Sequence, residues 1–306
     1  MISMDAALQV VGRNPSSLLA VSSRFRIFKP QTEHAIRMPI AEPSKALEGM
    51  KKAWGNCSPE CAGEFEWISE YRRMLAEISG LGYSAKDVEI FSIALAEFQC
   101  EKKFSERAGL FLSALINNCE ADEFAITTRH LTEHISILGF QNKKKIRVEG
   151  DIADNAGWQT ESGTLIVNGN AAKNVGAFMS GGAIIVNGNA GGDIGNSMWG
   201  GNIIVAGDAG NRAGWNMWGG AISIEGDAGN ALGAWMLKGS ITVKGNAGDI
   251  VGMNMGSGRI FVGGNAGDGV GQDMTGGEIR LSGSFVLSDR IKGGIIFHNR
   301  DLVFCK

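Results

Sequence analysis

The chain has 306 residues, 44% hydrophobic and 20% charged, with a formal net charge of -3 and a sequence pI of about 5.9. That length can bury a core in each of two domains. The slightly acidic balance argues against general attraction to nucleic acid or an anionic membrane, and no run of about 18 apolar residues is available to span a bilayer. The N-terminus, MISMDAALQVVGRNPSSLLAVSS, lacks the basic, apolar and small-residue regions of a secretory signal, so a cytoplasmic protein is expected.

Taken in chain order, residues 1 to 56 are irregular, with one possible strand at LLAVSSRFRIF stopped by Pro30. The five cysteines, Cys57, Cys61, Cys100, Cys119 and Cys305, do not form a disulfide framework. CSPEC holds Cys57 and Cys61, but a metal there needs two further ligands. Ser58 and Pro59 read instead as the N-cap and first position of a helix. Helices are expected at about 59 to 79, 85 to 101, 104 to 118 and 123 to 138. Val88, Phe91, Leu95 and Phe98 have helical spacing, and Ser84 with Asp87 forms a capping start for the second helix.

The fourth of these helices contains HLTEH, residues 130 to 134, which fits H-x-x-E-H. On a helix His130 and His134 share a side and could bind zinc, with Glu133 as general base, as in inverted zinc peptidases. No third ligand is identifiable, and packing or hydrogen bonding is the plainer use of both histidines. QNKKKI, residues 141 to 146, then ends a mainly α-helical domain at 1 to 145, with Lys143, Lys144 and Lys145 as a solvated linker.

Only eight of the 45 glycines precede Arg147, so the composition changes abruptly here. One glycine recurs at 150, 169, 188, 207, 226, 245, 264 and 283, a step of 19. A second recurs from 157 to 271 and a methionine from 179 to 274, each with the same step. Aliphatic pairs such as Ile184 with Val186 close the units. A fixed period without insertions means that each unit makes the same circuit and stacks on the last. Short alternating strands make the stack a right-handed parallel β-helix over 146 to 306, with about seven to eight turns of 19 residues and a C-terminal cap from about 284. Glycine supplies the tight corners. Asp151, Asn170, Asn189, Asp208, Asp227, Asn246 and Asn265 form an amide and carboxylate ladder beside the first glycine.

The pattern G-N/D-A-G-x-x-x-G-x-x-M-x-G-G-x-I-x-V resembles the GXGXG β-helix family, found at the C-terminus of the glutamate synthase large subunit and in one subunit of formylmethanofuran dehydrogenase. The resemblance covers about residues 146 to 283. It implies a structural or docking element whose flavin, iron-sulfur, molybdenum or tungsten chemistry lies in other domains or subunits. The helical domain before the repeat departs from both families.

A phosphate-binding loop would need one glycine turn leading into a helix, and here the glycines recur with no helix after them. A calcium-binding roll would repeat every nine residues. Trp199 and Trp218 occupy equivalent positions in successive units, with Trp215 and Trp235 nearby; pointing into a corner they would be core or cover the helical domain, the plainer use, and pointing outward they would form an interface patch. Together with this absence of convergent catalytic groups, the resemblance implies a noncatalytic scaffold or docking subunit of an oxidoreductase complex, with a protein partner or a second copy and with no cofactor of its own. The alternatives are a metal-dependent hydrolase built on His130, Glu133 and His134, and a small-molecule module at the domain junction.

Overall fold

The computed structural model describes residues 44–57 and 64–306. The strand expected within 18 to 28 and the helix start at Ser58 and Pro59, with Cys61, lie outside the described residues. Among the described residues four α-helices come first: α1 (Lys45–Asn56), α2 (Glu64–Ile78), α3 (Ala85–Ala94), continued by a 3-10 turn (Leu95–Phe98), and α4 (Phe104–Asn118). Helix α1 is an element the sequence pattern did not reveal. Ser44 caps it by accepting the Leu47 N–H at 3.1 Å. Ser84 and Asp87 form a reciprocal capping box on α3, as expected.

The helices pack on aromatic residues. Trp54 stacks on Phe98 at 5.2 Å and meets Phe111 edge-on at 5.6 Å. The Arg107 guanidinium lies 3.9 Å from the centre of the Trp54 ring and pairs with Glu101, which offsets the cost of burying its charge.

The remainder is a parallel β-solenoid. Ten strands stack in chain order: β1 (Glu123–Thr127), β2 (Lys145–Glu149), β3 (Thr164–Asn168), β4 (Ala183–Val186), β5 (Asn202–Val205), β6 (Ala221–Ile224), β7 (Ser240–Val243), β8 (Arg259–Val262), β9 (Thr275–Leu281) and β10 (Gly293–His298). A last strand, β11 (Asp301–Cys305), returns antiparallel to β10. From β2 to β9 the pairing register keeps the period of the sequence, as in Ile184 with Ile203.

Alternation along each strand sends one set of side chains inward. Leu165 and Val167 are buried, as are their equivalents in later coils. A second wall is the column Ala171, Ala190, Ala209, Ala228, Ala247 and Ala266, joined by single parallel bridges. The methionine column is fully buried; in the coil before it, Thr160 takes the methionine position, and its hydroxyl donates to the Gly157 carbonyl at 2.8 Å.

The corner glycines have a steric reason. Gly214 has φ +71, and a Cβ there would stand 2.3 Å from Ile241 Cδ1. The glycine provides both a left-handed turn and room for the next coil's core. The polar ladder also forms: Asn189 Oδ1 accepts the Asp208 N–H at 2.8 Å, and Asp208 Oδ1 accepts the Asp227 N–H at 2.8 Å.

Two features depart from expectation. The solenoid starts at Glu123, not 146, and makes about nine turns, because residues 123 to 138 form a strand and an extended loop in place of a helix. Phe124 and Ile126 are buried and pair with Ile146 and Val148, a wider separation than the regular period. Gly139, at φ +81, heads the corner series and stands one position closer to Gly157 than the regular step would put it. The stretch from Glu123 to Gly139 is in turn longer than its equivalent from Lys145 to Gly157. The first coil therefore carries a longer loop, which breaks the period while Leu131, Ile135 and Leu138 imitate helical spacing.

Helix α4 covers this first coil. A Cβ at Gly109 would fall 1.8 Å from the Ser136 carbonyl oxygen, so the glycine lets helix and loop backbones touch. Ser113 Oγ accepts the Gly139 and Phe140 N–H groups at 2.9 and 3.1 Å. Helix α3 packs against β1 itself, with Ser92 Oγ accepting the Thr127 N–H at 3.4 Å, so helices close this end and protect its open strand edge from further pairing.

At the other end, the region expected to be a cap adds strand β10 as one more coil. Glu278 pairs with Ile295 there, two positions short of the regular step. The shortened coil is fastened by Asp273, whose buried carboxylate pairs with Arg290 and, at 2.8 Å, with Lys292.

Candidate interaction surface

Four successive coils each place one aromatic side chain on the same corner of the solenoid. Phe178, Trp199, Trp218 and Trp235 are 37%, 60%, 41% and 48% exposed. Trp199 and Trp218 each stand just beyond a left-handed corner position, at equivalent places in adjacent coils. The coil spacing therefore stacks their rings, with centroids 5.0 Å apart and planes 13° from parallel. Leu237 occupies the equivalent position in the next coil.

Phe178 and Trp235 occupy the left-handed position itself, at φ +56 and +61. In the coils between and after them that position holds Ser197, Asn216 and Asn254. Left-handed backbone costs an ordinary L residue about 1–2 kcal/mol, and asparagine is among the residues that tolerate it best. Bulky exposed aromatics are thus kept where a small polar residue would be less strained.

The strip continues towards the helices through aromatic contacts. Phe178 lies 4.8 Å from Trp158, which meets Trp67 of α2 edge-on at 5.2 Å. Phe178 and Trp199 line a hollow of about 410 Å³ with Gln141, Gln159, Glu161 and Ser180. Glu161 pairs with Lys143 at 3.0 Å, so the hollow's one carboxylate is neutralised.

The four tryptophans proposed from sequence do not behave alike. Trp199, Trp218 and Trp235 belong to the exposed strip. Trp215 is half-buried, with the Arg212 guanidinium 6.0 Å from its ring. Arg212 is held by a two-bond ion pair to Asp193 in the preceding coil, both bonds 2.7 Å. Phe178 and Leu237 were missed; aligning the repeats by position finds both.

His130, Glu133 and His134 lie in the longer loop of the first coil, not on a helix. The i, i+4 argument for a shared zinc-binding side therefore does not apply. All three are exposed. His130 Nε2 is 3.1 Å from the Ile93 carbonyl, the Glu133 N–H donates to Gln99 Oε1 at 3.1 Å, and the His134 carbonyl accepts from Ser105 Oγ at 2.6 Å. These bonds tie the loop to α3, the 3-10 turn's end and α4. Among the described residues no group of three or more His, Cys, Asp or Glu side chains is placed to hold a metal ion.

A second hollow, of about 400 Å³, lies where α3 meets β1 and β2. It is lined by Lys86, Glu89, Glu123, Lys145 and Arg147 among others. Lys86 pairs with Glu89 and Lys145 with Glu123, so most of its charge is internally balanced. Cys57 is buried near Arg107; burial pushes its thiol up to about 11, against a smaller lowering by Arg107. Among the described residues no helix is long and apolar enough to cross a membrane.

No family model matches the chain, and no curated protein matches it in sequence.

Proposed function

We propose that the chain is a noncatalytic docking or scaffold subunit, and that its aromatic strip seats a protein partner from an oxidoreductase complex of the glutamate synthase or formylmethanofuran dehydrogenase type. The observation that supports this most is the placement of Phe178 and Trp235, large exposed aromatics kept on left-handed backbone beside Trp199 and Trp218. Strain held on a surface is a pointer to function. Aromatic residues are enriched in interfaces because they combine large contact area with few rotatable bonds. The choice of partner class rests on the resemblance of the repeat to the GXGXG domains, in which redox chemistry belongs to other domains or subunits.

The test replaces the strip with residues that the repeat already uses at those positions. Trp199→Ser follows Ser180, and Trp235→Asn follows Asn216 and Asn254. The tagged wild-type chain should co-purify from its own cells, in fixed stoichiometry, with a protein showing flavin, iron-sulfur or molybdopterin absorption. The double variant should fold and lose that partner. A partner retained by the double variant would reject the strip as the docking site, and a wild-type chain isolated alone would reject the subunit reading.

A further inference from the structure

We propose that a groove near the C-terminal end of the solenoid binds an elongated polyanion of the phosphate class. This inference is independent of the aromatic strip, and neither depends on the other. The groove has a volume of about 700 Å³, and its lining includes Lys238, Arg259, Lys306, Ser240, Ser257 and Thr275. Gly239, Gly258, Gly276, Gly277 and Gly294, at the corners of successive coils, make up much of the rest of the lining.

The cations interrupt the repeat. One corner position reads Lys143, paired with Glu161, then Ser162, Gly181, Gly200 and Gly219 before it becomes Lys238. Two residues further on, the sequence is Lys145, paired with Glu123, then Thr164, Ala183, Asn202, Ala221 and Ser240 before Arg259. The corner itself needs no charge.

Nor do these charges serve an internal ion pair. Of the Lys and Arg side chains from 123 to 306, nine pair with a carboxylate. The other six are Arg147, Lys173, Lys238, Arg259, Arg300 and Lys306, and three of these line this groove. Glu278, the groove's one acidic side chain, is engaged by Arg280, which leaves Arg259 available.

The groove's length suggests the ligand's shape. Lys238, Arg259, Glu278, Ile295 and Lys306 mark consecutive chain levels; Lys306 joins the stack through bonds to Gly294 at 3.0 and 3.1 Å. With neighbouring strands about 4.8 Å apart, the stack spans roughly 19 Å. Two cations lie near one end and one at the other. A single phosphate cannot engage both ends, whereas a chain of phosphates can, with the serine and threonine hydroxyls offering further hydrogen bonds.

The probe is a linear inorganic polyphosphate of about eight phosphates, long enough to follow the roughly 19 Å stack, titrated calorimetrically into the full chain at about 0.1 M salt, where charges more than about 10 Å apart are largely screened. Saturable one-to-one binding is expected, about tenfold or more tighter than orthophosphate. Lys238→Gly and Arg259→Ala restore residues that earlier coils carry, so both variants should keep the fold. Together they should weaken binding by about tenfold or more. Lys173→Asn, an unpaired lysine outside the groove changed to the residue found at 211 and 230, should leave affinity unchanged. Absence of saturable binding, full affinity in the folded double variant, or an equal loss in Lys173→Asn would each overturn the proposal.

Discussion

Replacing Gly214 by alanine tests whether the glycine period is steric. The new Cβ would sit on backbone at φ +71, 2.3 Å from Cδ1 and 3.3 Å from Cγ1 of Ile241 in the following coil. Left-handed backbone costs an L residue roughly 1–2 kcal/mol, and forcing a carbon into a filled core costs about 1–3 kcal/mol more. The expected loss is therefore about 2–5 kcal/mol, a large share of an ordinary domain's roughly 5–15 kcal/mol. Ile241→Val removes Cδ1 at its own cost of about 0.5–1.5 kcal/mol. In that background Gly214→Ala should keep the backbone cost and shed most of the overlap, giving a coupling of about 1 kcal/mol or more. Urea unfolding of the four proteins, followed by circular dichroism and by hydrogen exchange at coil amides, measures the cycle. An undiminished penalty beside Ile241→Val would refute the steric reasoning, as would a loss below about 1 kcal/mol for Gly214→Ala alone.

Asn189→Ala removes the acceptor for the Asp208 N–H and should cost about 0.5–1.5 kcal/mol; Asn189→Asp retains an acceptor and should cost less, and equal losses would assign the ladder no hydrogen-bonding role. Cys100 and Cys305 are exposed while Cys57 and Cys119 are buried, so an aromatic disulfide reagent at about pH 8 should label the first two quickly and the latter two only after unfolding; rapid labelling of Cys57 would contradict its raised pKa. The Asp273 carboxyl is held below its ordinary range chiefly by its hydrogen bond from Lys292, then, against some desolvation, by Arg290. Its folded pKa is depressed, so its contribution is present above the unfolded value of about 3.9 and is lost as pH falls through the lower folded value. The thermal midpoints of Asp273→Asn and the wild type should differ at neutral pH and converge in acid; a gap independent of pH would remove this ion pair from the account.

The repeat was legible because its residues serve geometry. Gly157 to Gly271, the methionines and the aliphatic pairs each answer to one steric requirement that returns in every coil. Where the requirement changed, the pattern failed. The longer loop of the first coil hid the relation of Phe124 and Ile126 to Ile146 and Val148, and tertiary pairing overrode a helical-looking spacing. The same loop separated His130 and His134 from the helix on which a zinc reading depended. At the surface, tryptophan identity suggested an interface, but exposure decided membership: Trp215 is partly covered beneath Arg212, whereas Phe178 takes part, marked only by sharing the repeat position of Trp235. The cationic groove was invisible for a related reason, since Lys306 reaches the groove that holds Lys238 and Arg259 only through the antiparallel return of β11.

Docking at the aromatic strip is tested most directly by measuring solvent access there in the assembled state. Hydroxyl-radical footprinting, read by mass spectrometry at Trp199, Trp218 and Trp235, would compare the isolated chain with the assembly recovered under mild lysis. Docking predicts strong modification of all three in the isolated chain and protection of all three in the assembly, with exposed residues on other faces unchanged. Equal modification in both states would show that the partner binds elsewhere and would contradict the proposed role of the strip.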